Sequence, residues 1–304
     1  MILSGQASLP QARLRPPPCG PSLHLFVQAH HPSRTREQTI TEHAGVPPTG
    51  RSPLLAATGI SKAFGHVQAL REVGLELHEG EVLAIVGDNG AGKSTLIKIL
   101  SGALQPDAGA ITVNGERVIF RTPIAAREHG IETVYQDLAI VPSLDIAENL
   151  YLGRELHFGG TIGRFIPFID KRSMRRRARE HLQTLNIGIP SVRQRTETLS
   201  GGQRQAVAVA RAPAFGRRIV IMDEPTAALG VRETAAVMDV IRRINEHGLA
   251  IILISHNLPQ VLELSDRVMV LRAGRNVGAV RTSETSMEQI VRMITGAEAL
   301  HHAA

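Results

Sequence analysis

Tryptophan is absent from this 304-residue chain, tyrosine occurs twice, and there is one cysteine, Cys19. A lone cysteine closes no internal disulfide, and no other metal ligand stands at a useful spacing from it. That excludes a disulfide scaffold and fits a reducing interior. Also missing is any apolar run of the roughly 18 residues that a spanning helix needs. The longest runs, such as Leu249 to Ile254 and Ile219 to Met222, are strand-sized. If the chain works at a membrane, something else does the crossing. No internal repeat is visible.

What is present begins with charge. A net charge of +6 would by itself raise nucleic acid or anionic membrane as partners. Its distribution weakens that reading, because residues 1–53 hold five Arg and two Glu, and so half of the excess. The densest basic run, Lys171 to Arg179 (KRSMRRRAR), reads as the solvated face of a helix. Phosphate contact is the other option, although no aromatic side chains interleave to stack on bases, and no nucleic-acid partner is expected.

Residues 1–53 carry nine of the 17 prolines and neither helical nor strand periodicity. They read as a disordered, Pro-rich extension, or equally as the product of a start site placed too far upstream. Leu23 to Val27 is too short and too poorly flanked for a secretory signal. Residues 297–304 read as a C-terminal tail.

From Leu54 the chain becomes periodic. Apolar alternation covers Leu54 to Ile60 and Val73 to Leu77, a buried strand runs from Glu81 to Val86, and a helix is predicted from Lys93. Strand Ile219 to Met222 is followed by an amphipathic helix with Val237, Met238, Ile241 and Ile244 on one face, then by strand Leu249 to Ile254. This rhythm predicts an α/β fold with a mostly parallel sheet and helices on both faces. Between the two blocks, about 137–211, the pattern is helical and reads as an inserted subdomain.

The stretch GDNGAGKST, Gly87 to Thr95, fits G-x4-GK-[ST], with a buried strand before it and a helix after it. Gly87, Gly90 and Gly92 let the backbone turn so that successive N–H groups face one point, and the helix N-terminus adds partial positive charge. Polyanions bind such a loop. Lys93 can reach β- and γ-phosphate oxygens, Ser94 can ligate Mg2+, and Thr95 can donate to an inner phosphate. A dinucleotide fold is disfavoured because the glycines are spaced differently from G-x-G-x-x-G.

Asp223 and Glu224 end the strand Ile219 to Met222, at the edge where open α/β sheets bind ligands. Alone, such a pair is a helix cap or surface charge. With the phosphate loop, Asp223 becomes a candidate Mg2+ ligand and Glu224 a candidate base for an attacking water. His256 follows the next strand and can hydrogen-bond a γ-phosphate.

Leu199 to Gln205 reads LSGGQRQ, with Ser200 suited to cap the following helix. With this motif, the span from Leu54 to Gly296 resembles the ATP-binding-cassette (ABC) ATPases, P-loop NTPases with an antiparallel β subdomain beside the parallel core. The resemblance implies ATP and Mg2+ as cofactors, bound at Gly87, Asn89, Gly90, Gly92, Lys93, Ser94 and Thr95. It implies that Ser200, Gly201, Gly202 and Gln203 complete the site of a second copy in a head-to-tail dimer, a second helix N-terminus aimed at the same phosphate. Phe64, in SKAFGHVQAL, sits where the family stacks an aromatic on adenine. Gln136, in VYQDLAIVP, matches the glutamine that touches the metal and links the site to a transmembrane partner.

Within the family, GIETVYQDLAIVPSLDIAENLYLGRE and IMDEPTAALGVRE are similar to ATPases of bacterial fructose- or ribose-class importers. That implies permease subunits, an extracytoplasmic sugar-binding protein and a place at the cytoplasmic face of the cell membrane. Two departures stand out. Gly230 occupies a position where many cassettes carry Asp, and Pro213 near the end of the signature helix should disfavour helix at Ala212. The alternatives are an importer ATPase for another small solute, a soluble non-transport cassette protein, and a degenerate binding subunit. The intact Lys93, Asp223, Glu224 and His256 argue against the last.

Overall fold

The computed structural model describes residues 52–137, 139–158, 168–215 and 218–297. Cys19, nearly all of the expected Pro-rich extension and most of the C-terminal tail lie outside the described residues. The described chain begins with a hairpin of β1 (Leu55–Phe64) and β2 (Val67–Leu77), then β3 (Val82–Val86) and helix α1 (Lys93–Leu100). A second hairpin, β4 (Ala108–Val113) and β5 (Glu116–Val118), turns on Asn114 and Gly115. Both turn residues have positive φ, as a two-residue turn matched to strand twist requires.

Helix α2 (Pro123–Glu128) leads to β6 (Ile131–Val134). Among the described residues three α-helices follow: α3 (Ile146–Leu150), α4 (Lys171–Thr184) and α5 (Gly201–Arg211). Between Asp137 and Arg211 the described β-structure consists of two isolated bridges, Asp145 with Arg195 and His157 with Ile169. The chain then alternates through β7 (Ile219–Asp223), α6 (Val231–Glu246), β8 (Ala250–Ile254), α7 (Leu258–Leu264), β9 (Arg267–Arg272), β10 (Arg275–Arg281) and α8 (Met287–Thr295). No described helix is long and apolar enough to cross a membrane.

The strands form two sheets, an antiparallel one in the order β2-β1-β4-β5 and a larger one in the order β10-β9-β3-β8-β7-β6. In the larger sheet every pairing is parallel except that of β10 with β9. Its central strands β3, β7 and β8 are buried apolar runs because both faces are covered there. Leu83 and Ile85 of β3 pack with Leu96, Ile97 and Leu100 of α1 and with the antiparallel sheet. On the other side, Val220 and Met222 of β7 pack with Val207 and Val209 of α5 and with Val237, Ile241 and Ile244 of α6.

Two sequence expectations need adjustment. Strands β1 and β2 extend further toward their shared turn than the alternation indicates, because register shifts near Ile60 and Lys62 break the period-2 pattern without ending the pairing. Ala212, expected to leave the helical region ahead of Pro213, instead keeps φ −62 and ψ −51. It is fully buried with α5, and the chain yields one residue later, in a 3-10 turn, Pro213–Phe215. The basic run does lie on the outside of α4, where Met174, Ala178 and Leu182 are the buried residues. Its inward-leaning member, Arg175, pairs at 2.9 Å with Asp145, the residue that caps α3.

Candidate active site

Parallel register brings the ends of four strands to one edge. Ile85 of β3 lies beside Ile254 of β8, Asp223 of β7 beside the same Ile254, and Val134 of β6 beside Met222. The segments leaving that edge carry Gly87, His256, Glu224 and Gln136. Residues far apart in sequence are gathered because the strands before them are neighbours.

The glycine loop is held by close backbone approach. A Cβ on Gly87 would meet the Leu271 carbonyl oxygen at 2.0 Å, and one on Gly92 would meet the Ala69 carbonyl oxygen at 2.6 Å. Gly92 starts α1 with φ 105 and ψ 0, and no side chain caps the helix. Lys93 folds back along the loop, its Nζ donating to the carbonyls of Gly87 at 2.6 Å and Asp88 at 2.9 Å. Ser94 is exposed and Thr95 half-buried at the start of the helix.

Lys93 feels Glu224, Asp88 and Asp223. Burial pushes its ammonium below the ordinary range, and those three carboxylates oppose the shift. Asp223 goes the other way: burial, then the neighbouring Glu224, pushes its carboxyl above the ordinary range, against the pull of Lys93 and Lys98. Both groups are therefore held partly against their charge.

Glu224 sits at φ 52, a left-handed conformation that a non-glycine residue adopts at a cost. Its amide donates to the Ile254 carbonyl at 2.9 Å, fixing the turn to β8. Its carboxylate Oε2 lies 2.8 Å from Nδ1 of His256. The imidazole is three-quarters exposed while the Glu224 side chain is 15% exposed, so the pair runs from the sheet edge outward. The two line an open cleft of about 500 Å3 with Thr226, Ser255, Asn257 and Gln260. Thr226 Oγ1 donates to Gln260 Oε1 at 2.5 Å across it.

Ser200 closes a capping box at the start of α5: its Oγ accepts from the Gln203 amide at 3.2 Å, and its own amide donates to Gln203 Oε1 at 3.1 Å. Gln203, expected at a nucleotide, is thus occupied within its own helix. Gly202 is packed so tightly that a Cβ would meet Glu233 at 2.6 Å. Ser200, Gly202 and Gln203 line a hollow of about 260 Å3 with Gly188, Arg232 and Glu233. This hollow and the Glu224 cleft share no lining residue. Phe64 is 51% exposed at the end of β1, and Gln136 is exposed after β6.

The residue pattern of the ABC transporter family matches residues 70–227, just over half of the chain. The chain belongs to that family. It is 48% identical over 249 residues to the fructose import ATP-binding protein FrcA of Rhizobium meliloti, covering 82% of this chain and 96% of that one. It is 45% identical to the xylose/arabinose import ATP-binding protein XylG of Sulfolobus acidocaldarius, over 80% of this chain and 94% of the relative. The ribose import ATP-binding protein RbsA 1 of Rubrobacter xylanophilus is 45% identical but is matched over only 47% of its length.

Among solved structures, a nucleotide-free ATP-binding cassette superposes with a TM-score of 0.69 at 24% identity, covering 80% of this chain and 98% of that one. A dimeric cassette in a post-hydrolysis state bound to ADP and Pi gives 0.62 at 25% identity, covering 75% and 98%. The fold is that of an ABC ATPase cassette, with the parallel core and antiparallel sheet described above.

Reading the sequence alone leaves out several residues that line these two hollows, among them Thr226, Gln260, Arg232 and Glu233. Thr226 and Gln260 stand two and four residues beyond Glu224 and His256, which is the signal that could have found them.

Proposed function

We propose that this chain is the ATP-hydrolysing subunit of a sugar importer, working as a head-to-tail pair at the cytoplasmic face of a membrane. The observation that carries the reading is an uncapped helix start, with Lys93 against it, at the same strand edge as Asp223 and Glu224. Such a start offers backbone N–H groups and partial positive charge to a phosphate chain. Lys93 then has phosphate oxygens to meet in addition to loop carbonyls.

The donor set fits Mg2+ shared with a nucleotide. Ser94, Asp223 and Gln136 offer hard oxygen ligands, and too few of them to hold the ion without phosphate oxygens. When bound, the ion would offset charge on the transferring phosphoryl group. Asp223, raised by burial and by Glu224, gains a compensating charge when a cation arrives.

Glu224, low in the cleft with its carboxylate 2.8 Å from His256 Nδ1, serves as the acceptor that orients and deprotonates the attacking water. His256, more exposed, holds Glu224 in place and reaches the terminal phosphate. Phe64 stacks on the base. Ser200, Gly201, Gly202 and Gln203 present the start of α5 to the nucleotide of the partner copy, which is why each chain keeps its two hollows apart. Gln136 reports occupancy of the site to permease subunits, and an extracytoplasmic sugar-binding protein supplies the solute. Relatives named for fructose, xylose/arabinose and ribose import support the sugar assignment.

Glu224→Gln tests the chemistry. ATP binding should persist while steady-state hydrolysis falls by about 10²–10⁴-fold. Turnover at the wild-type rate would remove Glu224 as the base.

A further inference from the structure

Phe64 owes its position to a local arrangement that the nucleotide-site motifs do not include. Strand β1 loses register against β2 between Lys62 and Ala63, and against β4 between Thr58 and Ser61. Such bulges re-aim the side chains that follow them. A single residue at the entry to β4 pins the disturbed stretch. Asp107 donates its amide to the Ser61 carbonyl at 2.8 Å, accepts from the Ala63 amide at 2.7 Å, and accepts from Lys62 Nζ at 2.5 Å.

The ammonium so anchored lies 5.8 Å from the centre of the Phe64 ring, within range of a cation–π contact. The Lys62 side chain is only 15% exposed, while Phe64 is half open to solvent. With Lys62 bound to Asp107, its charge is spent locally. The ring is left with an accessible apolar surface and a fixed orientation.

Reach to the phosphate loop is also set by this hairpin. Phe64 pairs with Val67, and Ala69, two residues further along β2, is the residue whose carbonyl abuts Gly92. Two residues of strand span about 7 Å. A planar base on Phe64 is therefore joined to phosphates at Gly92 and Lys93 by a short, extended link.

We infer that Asp107 and Lys62 are positioning residues for the nucleobase: together they hold Phe64 as a stacking platform for the purine ring of a nucleoside triphosphate. This rests on the reading that the triphosphate binds at Lys93, and it adds that base affinity depends on a salt bridge formed outside the loop. The effect should fall on ligands that carry a base. Base–aromatic stacking and an exposed cation–π contact each change affinity on a several-fold scale.

The experiment compares equilibrium binding of Mg-ATP and of Mg-tripolyphosphate, which has no base, to the full chain and its variants. Asp107→Asn and Lys62→Met should each weaken ATP about three- to tenfold and leave tripolyphosphate as in the wild type. Phe64→Ala should do the same, and Phe64→Ala with Lys62→Met should be little worse than Phe64→Ala alone, since both act through one ring. Lys62→Arg, which keeps the cation and the pairing, should restore ATP affinity. Thermal melting confirms folding, and Asp107→Asn with Lys62→Arg decides the matter should Lys62→Met fail to fold. Equal weakening of both ligands would place Lys62 on the phosphates and overturn the proposal. Wild-type ATP affinity in Asp107→Asn and Lys62→Met, with Phe64→Ala impaired, would overturn it and leave the stacking platform standing. Should the wild type bind neither ligand, it is the nucleotide reading itself that fails.

Discussion

Helices α1 and α5 both begin with glycines and a hydroxyl residue, yet they are finished in opposite ways. At α1 the start is left-handed Gly92, no side chain caps it, and the first turn carries a lysine and no acid. At α5 Ser200 and Gln203 satisfy each other's backbone amides, and Gly202 is pressed against Glu233. The first is left open, beside Lys93 and Asp223, whose pKa values are displaced from the ordinary ranges by burial. The second is complete on its own and offers shape and an oriented dipole. On the function proposed above, a helix start that takes up a ligand in its own chain needs unused donors, while one that meets a partner's ligand gains from being rigid beforehand.

The largest effect that could break this contrast is expected at the open start. Lys93→Ala should lower ATP turnover by about 10²–10³-fold, the scale for losing one preorganised donor, with little change in melting temperature. A melting loss as large as the activity loss would mean that Lys93 is chiefly a loop brace for the Gly87 and Asp88 carbonyls. Next comes the closed start. Ser200→Ala should cost about 1 kcal/mol of stability, or about 2–4 °C in melting temperature, and Ser200→Thr should recover most of it. An unchanged melting temperature would show that the capping box contributes nothing.

The smallest expected effect concerns Asp223, which binds its proton more tightly folded than unfolded. Between the two pKa values the folded chain holds more protons, so its stability falls as pH rises through that window and stays reduced above it. Asp223→Asn should therefore raise the melting temperature at neutral pH while impairing hydrolysis. Near about pH 3, below the unfolded carboxyl value, that gain should vanish. A gain that is the same at both pH values would assign it to packing.

Much of this was legible because its signals are local. Val82 to Val86 is a fully buried apolar run entering a glycine motif, and Ser200 with Gln203 is a capping pattern readable three residues apart. The outward face of Lys171 to Arg179 follows from helical spacing alone. The contact between Glu224 and His256 was not legible, since it depends on β7 and β8 being neighbours, and parallel partners leave no turn signature in the sequence. Nor was the left-handed backbone of Glu224, which the surrounding strand edge imposes on a residue with no preference for it. The clamp of Asp107 on Lys62 spans 45 residues and interrupts the alternation that would otherwise reveal it. Ala212 shows a partial converse: the helix ends at Arg211 as the proline rule expects, yet Ala212 keeps helical φ and ψ because it is buried in the core.

The place of β3 in its sheet has a consequence in time. Both of its neighbours, β8 and β9, come from Ala250–Ile254 and Arg267–Arg272, while Gly87 abuts Leu271 and Ala91 accepts from the Gly274 amide. The antiparallel sheet, made entirely from residues 55–118, can assemble as soon as it has been synthesised, whereas β3 must wait through more than 150 residues for a partner. During synthesis the phosphate loop is thus among the first motifs made and among the last to take shape. A chain cut short before Leu271 would contain the whole motif from Gly87 to Thr95 and the Ala69 carbonyl behind Gly92, without the Leu271 carbonyl that Gly87 is built against.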